Sequence, residues 1–278
     1  MLVSVQKYAP HGGSGTQYFV GDFDGTRFTS DNPADTVLWL DYGRDDYAGV
    51  TWSDHPQNGS QRLFLGWMND WDYAQGVPAY TFRSAMTLPR VLKLKAFDEG
   101  LRLVSQPVPE LQALRQDEPL RTMQDTWVGG GRNPLVGLSG ETLEILAEFQ
   151  VDGATTASEF GFKLRQGDGK ETVVGYEVKP AAMFVDRTRS GEFEFRGDDG
   201  RRHDAPLAPA ADKVELHIFL DRTSVEVFGN DGRQVITDTM FPPPNAKGVT
   251  LYVMDGRVWL SSLTVYQLRG FYETESAN

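Results

Sequence analysis

The sequence predicts an all-β protein whose first part reads as propeller blade or sandwich and whose second part reads as an antiparallel β-sandwich. Three observations carry this. Almost every periodic segment of the 278 residues is β-branched or aromatic and alternating. The segments are short and separated by Gly-, Asn- and Asp-rich turns. Pro107 to Glu118 is the one stretch that reads as helix, with Pro107 and Pro109 able to open it and Leu111, Leu114 and Leu120 near one face.

Taken in order, Val3-Ser4-Val5 and Thr16 to Val20 flank Gly12-Gly13-Ser14-Gly15, a hairpin signal. Val37 to Leu40, Tyr47 to Trp52 and Arg62 to Trp67 follow, with Asn58-Gly59 as a type I′ turn before the last. Arg90 to Leu94 and Leu101 to Ser105 flank Asp98-Glu99-Gly100. After the helical stretch, strands resume near Leu143. Leu143 to Phe149 alternates loosely. Phe160 to Arg165 turns at Gly167-Asp168-Gly169 into Thr172 to Val178. Val214 to Leu220 alternates cleanly, as a half-buried strand does. Ser224 to Phe228 turns at Asn230-Asp231-Gly232 into Gln234 to Ile236, and Val249 to Met254 and Val258 to Leu268 complete the series.

Composition narrows the function. Hydrophobic residues at 40% supply a core, and a net charge of −12 repels nucleic acid and anionic membranes. No apolar run reaches about 18 residues, so no membrane span is expected. Met1 to Pro10 does not read as a signal peptide, and any such signal would precede it, so localisation is left open. With no cysteine there is no disulfide, thiol nucleophile or thiolate metal site. His11, His55, His203 and His217 lack metal-ligand spacing, so no metal is assigned.

Several stretches resemble glycoside hydrolase family 32. Thr16 to Gly25 (TQYFVGDFDG) resembles its YFxGxFDG signature. Trp39 to Ala48 (WLDYGRDDYA) resembles its DxGxDxYA segment. Gly66 to Trp71 with Arg83 to Arg90 resembles its GWxxxW and RxxMxxPR stretch. Asp221 to Gly232 (DRTSVEVFGNDG) resembles the signature of its sandwich domain. Four motifs in the family's order span Thr16 to Gly232, with wording nearest to bacterial exo-acting levanases and inulinases.

The resemblance implies a five-bladed β-propeller bearing the active site, then a β-sandwich. For this chain it implies a partial propeller (the last one to two blades) over 1–105, a linker able to form a helix over 106–120, a sandwich over 121–272 and a tail over 273–278. The activity implied is retaining hydrolysis of terminal fructosyl bonds in sucrose, inulin or levan, which needs no cofactor. The family's nucleophile motif WMNDPNG, its acid/base motif EC and its RDP motif are absent, so no catalytic residue is assigned. Trp67 to Asp70 spells WMND, but Trp71 follows, and its neighbours belong to the family's last blade. The chain alone is therefore expected to be inactive, with a non-catalytic carbohydrate-binding or assembly module as the alternative.

By resemblance, Asp41 and Arg44 belong near the acid/base residue and the leaving sugar, and Trp71 to the floor of the fructose pocket. A carboxylate can accept two hydroxyls, and an indole face excludes water from an apolar sugar face. Each has a plainer reading: Asp41 as a turn residue, Arg44 as an ion-paired surface group, Trp71 as core. Trp39, Trp52 and Trp67 read as core, Glu226 as structural, and Asp22 and Asp24 as turn residues. The expected partners are a fructose-containing saccharide and, through exposed propeller edges, a second copy.

Overall fold

The computed structural model describes residues 1–52, 62–79, 81–191 and 201–270. It is all-β. The Asn58-Gly59 turn, His55 and the 273–278 tail lie outside the described residues.

In the N-terminal region β1 (Leu2–Val5) pairs with β2 (Gly15–Tyr18), and β3 (Gly21–Phe23) with β4 (Phe28–Ser30). A further antiparallel sheet runs β5 (Tyr47–Thr51), β6 (Arg62–Met68), β8 (Arg90–Phe97), β9 (Gly100–Pro107), with β7 (Ala85–Met86) beside the end of β6. Its apolar cluster is small: Leu40, Phe64 and Leu92, with Leu2 and Leu103 against them.

The C-terminal region is two facing antiparallel sheets. One has the order β10 (Arg121–Gly129), β20 (Arg257–Gln267), β11 (Leu143–Gln150), β16 (Lys213–Leu220), β17 (Ser224–Gly229), β18 (Gln234–Thr239). The other has the order β15 (Arg202–Pro206), β14 (Ala182–Asp186), β13 (Lys170–Glu177), β12 (Glu159–Gly167), β19 (Gly248–Met254). Inward residues of both interdigitate: Ile145, Phe149, Leu216, Ile218 and Leu260 meet Phe160, Phe162, Val174 and Leu251 in one buried cluster. Phe149 and Phe160 lie 4.5 Å apart, centroid to centroid. Alternation puts these residues inside, and their burial drives the fold.

Three local expectations differ from what is observed. Val37 to Leu40 forms no strand. Its backbone makes two hydrogen bonds to β2, Tyr18 N–H to Leu38 O and Leu40 N–H to Thr16 O, and then leaves toward the sandwich. The expected helix is a single 3₁₀ segment, Pro109–Leu114. It stops because Arg115 turns extended and bridges Leu268, while Gln116 N–H donates to Gln267 O. β10 carried no sequence signal because it is an edge strand with little burial.

Candidate functional site

The residues of interest converge where the N-terminal region meets β18, the open edge of the six-stranded sheet. An uncovered edge offers unpaired N–H and C=O groups. Residues 41–46 cover this one. Tyr42 N–H donates to Val235 O at 2.8 Å and Asp45 N–H to Thr237 O at 3.0 Å. In return Thr237 N–H donates to Asp41 Oδ1 and Thr239 N–H to Asp45 Oδ2, at 2.8 and 2.7 Å. Gly43 is required here by close approach, because a Cβ would sit 2.0 Å from Thr237 O.

Beneath this seam lies Arg90, fully buried. Its Nη1 donates to Asp41 Oδ2 at 2.9 Å and to Asp46 Oδ2 at 3.0 Å. Its Nη2 donates to Glu226 Oε2 at 2.6 Å and to Thr237 Oγ1 at 2.5 Å. Glu226 Oε1 accepts from Leu88 N–H at 2.8 Å. One guanidinium thus gathers three carboxylates from both regions. Burial pushes the Asp46 carboxyl well up, Arg90 opposes this, and Asp41 and Glu226 add to it. Burial also raises Glu226, against the pull of Arg90.

A second buried group lies beside the first. Asp45 accepts from Tyr73 Oη at 2.6 Å and from Thr239, and lies 3.9 Å from Arg187. Burial pushes its carboxyl up to about 6 despite Arg187, with Asp238 adding to the rise. His203 Nδ1 lies 2.7 Å from Asp238, and His11 stacks on His203 at 4.7 Å. Burial, and then His203, hold His11 below the usual imidazole range.

From Tyr73 the network reaches the surface. The Arg44 guanidinium lies over the Tyr73 ring at 5.0 Å and binds Asp70 at 3.2 Å and Asp72 at 2.8 Å. Between these aspartates Trp71 projects outward, 51% exposed, with Trp67 against it at 5.0 Å. Trp71, Asp72, Tyr73, Gln75 and Gly76 line an open depression of about 370 Å³.

The three residues assigned to substrate therefore share one seam in different settings. Asp41 is buried, and its oxygens already accept from Gly43 N–H, Thr237 N–H, Thr237 Oγ1 and Arg90. A sugar hydroxyl would have to displace one of these bonds. Arg44 is buried and ion-paired, and Trp71 is accessible. Asp70 is fully buried: Ser14 N–H and Asp72 N–H donate to it, and Gly13, at φ +68°, presses its backbone so close that a Cβ would meet Asp70 Oδ2 at 2.0 Å. Burial raises its carboxyl, against Arg44. The carboxylates that share Arg90 (Asp41, Asp46 and Glu226) are all buried, and of the two that share Arg44 only Asp72 is open, so neither set offers two carboxyls to a substrate; Glu177 and Asp204, which share Arg202, are both partly exposed.

Glu226 takes the structural place expected of it, and Asp24 caps a turn by accepting from Thr26 and Arg27 N–H. Trp52, read as core, is 47% exposed. The sequence alone does not mark Arg90, Asp46, Tyr73, Thr237 and Thr239 as members of this network. Arg90 ends the RxxMxxPR stretch, which was the signal available, but its partners lie 44 to 147 residues away.

Comparison with known proteins bears on this geometry. Residues 1–107 match the model described as "Glycosyl hydrolases family 32 N-terminal domain", and residues 110–267 match "Glycosyl hydrolases family 32 C terminal". A levanase of Bacillus subtilis (strain 168) is 50% identical over 275 residues, which are 99% of this chain and 40% of the levanase. The crystal structure of exo-inulinase from Aspergillus awamori superposes with a TM-score of 0.83 at 34% identity, covering 93% of this chain and 51% of that one. A fructofuranosidase from Schwanniomyces occidentalis complexed with fructosylnystose shares the fold, with a TM-score of 0.82 at 23% identity, over 97% of this chain and 56% of that one. The chain thus spans about half or less of the length of these relatives.

Proposed function

The chain belongs to glycoside hydrolase family 32, and from that premise we propose that it serves a retaining β-fructosidase acting on terminal fructosyl bonds of sucrose, inulin or levan. Its part is to hold one wall of the sugar pocket against the sandwich. In this reading the β5-β6-β8-β9 sheet is a late propeller blade within residues 1–105, residues 106–120 are the linker, and 121–272 are the sandwich. Trp71 gives a stacking face, and Asp72, held in place by the buried Arg44, gives the polar rim. Asp41 belongs to the same site through Arg90 and Thr237, fixing the loop that carries Arg44.

The observation behind this is the continuous path from β18 through Asp45, Tyr73 and Arg44 to the turn bearing Trp71. Such a path holds an exposed ring in one place, which is what positioning a sugar requires.

Retaining hydrolysis needs two carboxyls about 5–5.5 Å apart across the scissile bond. The carboxylates gathered at the seam are spent on Arg90 and Arg44, and the pair Glu177 and Asp204 on Arg202. We infer that these 278 residues alone release no fructose. Purified chain incubated with sucrose and with inulin is expected to give no fructose above a blank. Turnover at an ordinary enzymatic rate, about 1 s⁻¹ or more, would contradict this reading.

A further inference from the structure

The outward face of the six-stranded sheet divides in two. Over β16 to β18 it is covered: Phe219, Phe228 and Val235 pack with Leu88 of the N-terminal region, Leu111 of the 3₁₀ segment and Leu268. At the other end, over β10, β20 and β11, Trp127 stands opposite Trp259, Trp259 opposite Gln150, and Gln150 opposite Lys213. These four form one row across four strands, about 14 Å long at the usual strand spacing. Trp127 is 39% exposed, a large apolar surface on a face that could have been polar.

The two indoles meet edge to face, 5.4 Å apart at 77°. Arg257 lies 4.2 Å over the Trp127 ring, and its guanidinium makes no hydrogen bond or ion pair among the described residues. The cation–π contact holds five donors in place with no protein acceptor. Gln150 Nε2 donates to Asp152, which leaves its carbonyl oxygen available. Lys213 is neutralised by Glu148 at 2.8 Å.

We propose that this row is a second carbohydrate site, which binds a β-fructan chain away from the Trp71 depression. The ligand class follows from the surface. It offers an angled aromatic corner for apolar C–H faces, unsatisfied donors for hydroxyls and little net charge. A second copy of the chain fits less well. β10 is an edge strand, but Asp125, at φ +46° between the Gln124–Ser262 and Thr126–Leu260 pairs, interrupts the regular extended backbone that strand addition requires. The choice of fructan over other neutral glycans rests on the proposed function. A polymer anchored here would keep its ends near the enzyme that shortens it.

Electrophoresis of the purified chain through gels containing levan, inulin or dextran tests this. Fructan is expected to retard the chain. Changing Trp127→Ala and Trp259→Ala together is expected to weaken retardation about tenfold, while Trp71→Ala leaves this component in place. Arg257→Ala, a surface change that spares the fold, is expected to weaken it about threefold. Melting curves confirm that each variant is folded.

Fructan retardation that ignores Trp127, Trp259 and Arg257 would overturn the site and leave the proposed function standing. Retardation by dextran alone, dependent on the tryptophans, would overturn the fructan assignment and count against the proposed function as well. No retardation by any polymer, or a tryptophan-dependent dimer in sedimentation, would overturn the proposal.

Discussion

The sandwich interior and the seam beside it are equally dry and are held by opposite means. In the interior, residues such as Phe160, Leu216 and Ile218 are fully buried and need no specific partner beyond shape. At the seam, Arg90, Asp41, Asp46 and Glu226 are just as buried, and each depends on named atoms of the others. The interior tolerates exchange of one apolar group for another of like volume. The seam does not, because removing one partner strands a buried charge. A core sets the fold of one region, while a charge network fixes one region against another.

The largest expected effect is at Arg90. Arg90→Ala leaves three buried carboxylates without their cation and is expected to cost about 3–5 kcal/mol. The loss should fall on the N-terminal region, so denaturant unfolding should split into two steps, the sandwich melting second. A single cooperative transition would show that seam and core are not separate. Leu216→Ala in the core is expected to cost about 2–4 kcal/mol and to lower the second step instead, read by the same titration.

A smaller change is expected at Asp45, through pH. The Asp45 carboxyl is driven up to about 6 in the folded protein, above its ordinary 3.8. The folded state therefore holds this proton more tightly than the unfolded state. Ionisation of Asp45 costs stability as pH rises from about 4 to about 6, and the cost is constant above that. Asp45→Asn removes the titration. Melting temperatures should show the variant gaining on the wild type between pH 4 and pH 7. A difference that does not change with pH would count against the ionised Asp45 of the seam.

Much of the sandwich was legible in the sequence. Val214 to Leu220 alternates and forms β16, and Asn230-Asp231-Gly232, all at positive φ, makes the turn between β17 and β18. These signals are local, set by side-chain period and backbone preference. The seam was legible only as a set of motifs. Asp41 in its DYG context reads as a turn or as a sugar ligand, because Thr237, which takes its oxygens, lies 196 residues on. Arg90 reads as one basic residue among many until its carboxylates converge. β10 is illegible for the opposite reason: an exposed edge strand needs no alternation.

Residues 41–46 and β18 are expected to open together, as one unit distinct from the core. Native-state hydrogen exchange at the Tyr42, Asp45, Thr237 and Thr239 amides tests it most directly. Their opening free energies are expected to agree with one another and to lie below those of Ile145 and Ile218 in the paired β11 and β16. Four unrelated opening energies, or values equal to those of the core strands, would contradict it.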